Sequence, residues 1–163
     1  CGASVWDEGV PARLFDLVGT ANEVVQNFKE GFNCLRALFV IINVSEGKLR
    51  RTREFADGKV DDNAIQCLVN PNDLSGSELV WGVVMGSSAS DVVSSSMRFL
   101  NKVYNSPDPG LRDSVVSIRT GFVQRCMDML NDSIADADPD SAQRVVRVLS
   151  LVQTLLEDTE IRG

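Results

Sequence analysis

Residues 78–105 constrain the fold more than any other part of the chain. They read ELVWGVVMGSSASDVVSSSMRFLNKVYN, which predicts two amphipathic helices joined by a short serine-rich turn. The first helix is apolar around most of its circumference, and in the second helix apolar residues recur at spacings of three and four. Neither helix can keep that surface in water, so each must pack on neighbours. Stacked helix pairs form extended surfaces that typically hold other proteins.

Apolar periodicity predicts helices along most of the remaining chain, and no segment shows a convincing strand pattern. The predicted helices cover residues 11–18, residues 23–44, residues 114–134 and a last segment that begins with Asp138 as its cap and Pro139 in its first turn. In that last helix the principal apolar stripe is predicted at Val145, Leu149, Val152 and Leu156, widened by Val146, Val148, Leu151 and Leu155. The expected fold class is therefore all-α.

Three positions within these helices carry more specific predictions. Gly31 lies inside the predicted helix over residues 23–44, where it costs about 1 kcal/mol relative to alanine, so it marks either a close helix crossing or a break. Trp81 is expected in the interior, between its own helix and the following one. Ser90 is expected to cap the helix that begins at Asp91.

Residues 45–63 differ in character from the helical segments. They are polar and contain Gly47 and Gly58, so we expect an exposed, mobile loop. The candidate partner-binding residues are the four basic residues of this segment, Lys48, Arg50, Arg51 and Arg53. On a chain that is acidic overall they form either a docking patch for an acidic protein segment or an ordinary solvated loop.

The charge and size of the chain exclude several classes of function. With 163 residues, of which 44% are hydrophobic, the chain suits a single domain with a real core. A net charge of −7 argues against nucleic acid or an anionic membrane as a general partner. The longest apolar run, residues 37–42, is far too short to span a bilayer. The chain starts with Cys1 rather than Met, which indicates a segment of a longer protein or a processed chain.

The cysteines indicate a reducing compartment rather than a metal or disulfide framework. The four cysteines, Cys1, Cys34, Cys67 and Cys126, form no CxxC pair, and histidine is absent from the sequence. Cys34 and Cys126 lie in apolar stretches and are predicted to be small buried residues. A secreted domain of this size would carry more cysteine. The expected location is intracellular, in the cytoplasm or the nucleus.

Catalysis by this chain itself is not indicated. Without histidine, a Ser or Cys nucleophile lacks its usual general base. Acidic clusters such as Asp61/Asp62 are suited to acid–base work in principle, but they fall at turns and helix ends, where solvated carboxylates are common. Neither a phosphate-binding glycine loop nor an EF-hand spacing is present, so no cofactor is expected. The serines of residues 87–96 are read as cap and polar-face residues, with phosphorylation as the alternative.

Five phrases occur in an order that resembles a known family. They are VSEGKL at residues 44–49, LVW at 79–81, FLNKVYN at 99–105, FVQRCMDML at 122–130 and RVVRVLSLVQTLLE at 144–157. Together they resemble the long helical region of the fat-facets-type ubiquitin-specific proteases, which are very large deubiquitinating enzymes. The chain departs from that pattern at Gly82, where a basic residue is expected, and in the long polar insertion after Leu49.

The resemblance implies an armadillo- or HEAT-like stack of helical hairpins outside the catalytic domain, serving as a scaffold for protein substrates or regulators. The parent protein would be a thiol-dependent deubiquitinase whose catalytic Cys and His lie elsewhere. None of the cysteines here matches a catalytic motif of the family, so the resemblance implies no catalytic, cofactor or metal residue in this segment. Two alternatives stay open: a helical-repeat adaptor or transport scaffold unrelated to ubiquitin, and an independent small helical enzyme.

Overall fold

A computed structural model of the chain describes residues 13, 16–17, 22–56, 59–135 and 138–161, and the side chains of these residues apart from 22, 53–56, 59–63 and 158–161. The described part is mostly helical, and its helices pack in pairs. Its elements are α1 (Asn22–Asn27), α2 (Lys29–Ser45), β1 (Leu49–Ala56), β2 (Lys59–Cys67), α3 (Ser77–Gly86), α4 (Ser90–Tyr104), α5 (Val115–Ala135) and α6 (Ser141–Ile161). Short 3-10 turns at Pro71–Asp73 and Pro109–Ser114 precede α3 and α5. No internal repeat is detected in this part of the chain.

The prediction that the chain lacks strands, with a loop over residues 45–63, is wrong. β1 and β2 form an antiparallel hairpin in which Leu49 pairs with Cys67 and Arg51 pairs with Ile65. Alternate residues of a strand point to opposite faces, so these four side chains share one face of the hairpin. That face packs on α2 and α4 and buries Leu49, Ile65 and Cys67. The burial of these three side chains holds the segment as a sheet rather than a mobile loop.

Backbone hydrogen bonds join the end of β2 to the connection between α4 and α5. The amide of Cys67 donates to the carbonyl of Ser106 at 2.7 Å, and the amide of Asp108 donates to the carbonyl of Cys67 at 2.8 Å. These two bonds satisfy polar groups at the edge of β2 that would otherwise face the protein interior. The hairpin is therefore fixed at its base to the end of α4.

The single helix predicted over residues 23–44 is interrupted at Phe28. This residue has extended backbone angles, with φ −127° and ψ 130°, and separates α1 from α2. Gly31 lies in the first turn of α2, where a β-carbon would come within 2.4 Å of the Val24 carbonyl oxygen. Gly31 thus permits the close approach of α1 to α2 that follows the break. This is the close helix crossing that the sequence offered as one of two predictions for Gly31.

An aromatic cluster connects the two long helix pairs. Trp81 of α3 is 1% exposed, which confirms its predicted interior position. Its ring centre lies 6.3 Å from that of Tyr104 of α4 and 5.3 Å from that of Phe122 of α5. The ring centres of Tyr104 and Phe122 are 4.6 Å apart. Such inclined ring pairs stabilise beyond the area they bury. The α3–α4 pair and the α5–α6 pair therefore share one core.

The apolar stripe predicted as the principal seam of α6 is not the face that is buried. The buried residues are Val148, Leu151 and Leu155, whereas Leu149 and Leu156 are 54% and 56% exposed. Both faces of α6 are apolar, so periodicity alone gives no preference between them. Packing on α3, α4 and α5 selects one face and leaves the other uncovered by the described residues.

Three smaller predictions have mixed outcomes. Cys126 is buried as predicted, but Cys34 is exposed, because it lies on the face of α2 turned away from the core. α4 begins at Ser90 itself, so Ser90 is not the cap; the Ala89 amide that precedes it donates to the Ser87 hydroxyl. The predicted helix over residues 11–18 lies largely outside the described residues, and Cys1 lies wholly outside them.

Among the described helices, none has the length and apolar character needed to cross a bilayer.

Candidate functional site

Lys48, the first of the predicted docking bases, is engaged in a local network. Its Nζ lies 2.8 Å from Glu46 Oε2 and donates to Ser75 Oγ at 3.0 Å. Ser75 Oγ in turn donates to Glu46 at 2.7 Å. The hydrogen bond from Lys48, and to a smaller extent that from Ser75, lowers the pKa of Glu46. Lys48 therefore stabilises the turn between α2 and β1 and adds little free positive charge.

Arg50 is likewise held by partners on its own face of the hairpin. Its Nη2 donates to Asp108 Oδ2 and to Gln66 Oε1, each at 2.6 Å. The Asp108 pair reinforces the backbone junction between β2 and residues 106–108. Arg50 is thus a structural residue that ties β1 to the α4–α5 connection.

Arg51 has a different environment, because it lies on the opposite face of β1. With Arg36 of α2 and Lys102 of α4 it surrounds a cavity of about 380 Å³ between α2, the hairpin and α4. We call this cavity the basic pocket; it is lined by Asn33, Arg36, Ala37, Val40, Arg51, Ile65, Phe99 and Lys102. Arg53, the fourth predicted base, has a side chain outside the described part. Of the predicted set, Arg51 is the residue that lies in a concave surface.

The floor of the basic pocket is apolar and fixed by the core beneath it. Ile65 is 3% exposed and Phe99 is 7% exposed. The Phe99 ring packs edge-on against Phe39 at 5.4 Å and Phe32 at 6.4 Å, both from α2. These contacts set the spacing of α2 and α4, which in turn sets the width of the pocket.

Sequence reasoning missed Arg36 and Lys102, because their segments lie far from Arg51 in the chain. A helical signal was present nevertheless. Asn33, Arg36 and Val40 are three and four residues apart on α2, and Phe99 and Lys102 are three residues apart on α4. This spacing places each set on one helix face. The spacing does not predict that these faces of α2 and α4 meet each other and β1 around one pocket.

A buried side-chain amide joins α2 to the segment that precedes α3. Asn43, at the end of α2, is fully buried. Its Nδ2 donates to the carbonyls of Phe39 and Ser75 at 2.8 and 3.0 Å, and its Oδ1 accepts from the Ser75 amide at 2.8 Å. A buried amide with these bonds made is strongly specified in position. Asn43 therefore fastens the segment before α3 to α2.

A second surface with functional potential lies on α5 and α6. On the side away from the core these helices expose Met127, Leu149 and Leu156, with Leu130 and Val152 partly buried between them. We call this surface the outer apolar face. It contains a groove of about 330 Å³ and extends along α5, where Val116 is 76% exposed and Ile134 68% exposed. Nothing in the described part of the chain covers it.

The described thiols are poorly suited to nucleophilic chemistry. Burial raises the pKa of Cys67 to about 12 and that of Cys126 to about 11, and Cys67 Sγ donates to the Val103 carbonyl at 3.2 Å. Thiolates, not thiols, are the nucleophiles, so both groups are inert near neutral pH. Cys34 is exposed, but the sequence provides no histidine to activate it. Within the described residues, no three His, Cys, Asp or Glu side chains come together as a metal site.

Comparison with known proteins adds no family to these observations. No protein-family model matches the chain, and no match is found among curated proteins or solved structures. The resemblance of the five phrases to fat-facets-type ubiquitin-specific proteases therefore stays a prediction. So does the armadillo- or HEAT-like form of the helix stack.

Proposed function

We propose that this chain is a non-catalytic protein-interaction scaffold built from stacked helix pairs, and that it belongs to a large cysteine-type deubiquitinase that removes ubiquitin from protein substrates. The observation that carries the scaffold proposal is the outer apolar face of α5 and α6. Its occupant is a further helix pair, which continues the stack that α3–α4 and α5–α6 begin.

The two sides of the α5–α6 pair support this occupant. On the inner side Ile118, Phe122 and Cys126 of α5 are buried against the α3–α4 pair. The outer side repeats the same kind of spacing, since Leu149 and Val152 are three residues apart and Leu156 follows after four. Side chains at these spacings form the ridges into which another helix packs. An armadillo- or HEAT-like stack presents both sides of each pair in this way.

The phrases that resemble the deubiquitinase family support a shared helical framework. LVW contains Trp81, FLNKVYN contains Tyr104, and FVQRCMDML contains Phe122, which together make the aromatic cluster. The resemblance is thus concentrated at positions that determine packing. It bears on the architecture of the segment, and the inert thiols of Cys67 and Cys126 agree with a segment that leaves catalysis to another domain.

Site-specific cross-linking tests the scaffold proposal. A photoreactive amino acid placed at Leu149 in cells should cross-link to a second helix pair, identified by mass spectrometry of the joined peptides. The same group placed at Arg112, which is exposed and does not line the groove of the outer apolar face, provides the matched control. Equal cross-linking from both positions, or none from position 149, would remove the basis for the scaffold.

A ubiquitin probe with a thiol-reactive C-terminus tests the deubiquitinase part. The purified 163-residue chain should form no adduct, whereas material precipitated from cells through this chain should form one on a cysteine of the same polypeptide outside residues 1–163. A stoichiometric adduct on Cys34, Cys67 or Cys126 would contradict the non-catalytic role. Cross-linking at Leu149 without any probe-reactive cysteine would instead favour an adaptor unrelated to ubiquitin.

A further inference from the structure

We infer that the basic pocket is a docking site for an acidic peptide segment of a protein partner, which places one apolar side chain between α2 and α4 and its flanking carboxylates beside Arg36 and Arg51. This inference rests on the proposed scaffold function and specifies the chemistry of one partner. It assigns the docking role to a set of residues that shares only Arg51 with the four bases predicted from the sequence.

The charge around the pocket differs from that of the molecule. Arg36 and Arg51 form no ion pair with any carboxylate in the described part of the chain, unlike Lys48 and Arg50. On a chain of net charge −7, Arg36 and Arg51 create a local positive field, which attracts and orients an acidic segment.

The shape of the pocket favours a peptide over an isolated anion. A volume of about 380 Å³ exceeds what a phosphate or a single carboxylate fills, and it accommodates a leucine or phenylalanine side chain with adjoining backbone. Val40, Ile65 and Phe99 offer that side chain an apolar floor. Charged groups at the rim and an apolar centre are the usual arrangement of a protein-recognition site.

The pocket is also rigid, which improves its capacity to bind. Arg51 is carried by a strand whose other face is tied to Asp108 through Arg50. The Phe99 contacts to Phe32 and Phe39 fix the helices on either side. A site whose walls are set before binding loses less conformational freedom when it is occupied.

Fluorescence anisotropy with a labelled peptide tests the inference. The probe is Asp-Glu-Leu-Glu-Asp with a fluorescein label, titrated with the 163-residue chain at 50 and 300 mM salt. We expect saturable binding that weakens as salt rises. The double substitution R36E/R51E should weaken binding at least about tenfold, which corresponds to the loss of two exposed ion pairs of about 0.7 kcal/mol each.

Two matched controls separate docking from general charge effects. The variant R112E changes the charge at an exposed position outside the pocket and should bind within about twofold of the unmodified chain. A peptide in which serine replaces the leucine should bind at least about fivefold more weakly, because one buried leucine side chain is worth more than 1 kcal/mol. Circular dichroism of each variant verifies that the fold is retained.

Several results would overturn the inference. These are absence of peptide binding up to millimolar chain, equal binding by R36E/R51E, and equal binding of the serine peptide. Displacement of a bound probe by millimolar inorganic phosphate, together with indifference to leucine, would identify a simple anion site instead. Cross-linking from Leu149 does not involve the pocket, so its outcome stays independent of all of these.

Discussion

At the scale of single residues, Trp81 has the largest side chain among those that are fully buried in the described core. Trp81→Ala removes a ring that contacts both Tyr104 and Phe122 and leaves a cavity, so it should lower the free energy of unfolding by about 3–5 kcal/mol. Urea titration followed by circular dichroism measures this loss. Val116→Ala, at a side chain that is 76% exposed, is the control and should change stability by less than about 0.5 kcal/mol. An unchanged midpoint for Trp81→Ala would show that the tryptophan is exposed.

Gly31 supports a second prediction at this scale. Gly31→Ala forces a β-carbon against the Val24 carbonyl, a backbone group that cannot rotate away, so the substitution should destabilise the chain by roughly 1–3 kcal/mol. Gly82→Ala is the matched control, because a β-carbon there meets no neighbouring atom of the described chain and alanine favours a helix by up to about 1 kcal/mol. Thermal melts of both variants should therefore shift in opposite directions. A shift of the same sign would disprove the close contact of α1 with α2.

At the scale of elements, Arg147 connects two helix pairs through the end of α3. This side chain belongs to α6, yet its Nη1 donates to the carbonyls of Val84 and Met85 at 3.1 and 2.9 Å, and its Nη2 donates to that of Ser87 at 2.7 Å. The final carbonyls of a helix have no partners within it, so Arg147 satisfies groups that would otherwise be left unpaired. The cation also lies at the negative end of the helix dipole.

Removal of this contact should loosen the junction between the pairs. Arg147→Met keeps most of the side-chain volume and deletes the donors, and we expect a loss of about 1–3 kcal/mol of stability. Arg147→Lys should recover only part of it, because one ammonium group cannot reproduce the fork of the guanidinium. Urea denaturation of both variants, with Arg112→Met as an exposed control, gives the comparison. Equal stability of the methionine variant would show that water replaces the arginine without cost.

The elements that were predicted correctly from sequence are those with strong apolar periodicity. The helix expected over residues 114–134 is found as Val115–Ala135, and the pair within residues 78–105 is present. The hairpin escaped because β1 alternates Leu49 with charged residues, and Arg51 faces a cavity rather than the core. The signal that was available is the Asp57-Gly58 pair between Ala56 and Lys59, since such dipeptides favour two-residue hairpin turns.

The candidate site was less accessible to sequence reasoning than the fold. Clustering along the chain grouped Lys48 with Arg50 and Arg51, but alternation along a strand separates Arg50 from Arg51, and Glu46 neutralises Lys48. Arg36 comes from a different helix altogether. Arg36 and Arg51 come together because α2 lies beside β1 in the folded chain, and this arrangement cannot be read from the sequence.

At the scale of the whole molecule, the shared core predicts a single unfolding transition. Arg125 of α5 binds Glu78 of α3 through two hydrogen bonds of 2.7 and 2.6 Å, and its guanidinium lies 4.6 Å from the centre of the Trp81 ring. With Trp6 replaced by phenylalanine, Trp81 fluorescence reports the junction of the helix pairs. Its urea transition should coincide with that of the circular dichroism signal. A separate, earlier fluorescence transition would show that the pairs unfold one after the other, as weakly coupled repeats do.

The opposite orientations of Arg50 and Arg51 have a consequence for how this chain can change in length during evolution. Inserting one residue between Lys48 and Leu49 would reverse the two faces of β1. Arg50 would then point into the pocket instead of toward Asp108, and Leu49 would leave the core. Substitutions at these positions alter one function at a time, whereas a change in length alters the anchor, the core and the pocket together. Insertions should therefore be excluded from residues 49–52, and a strand of this register should be inherited at constant length.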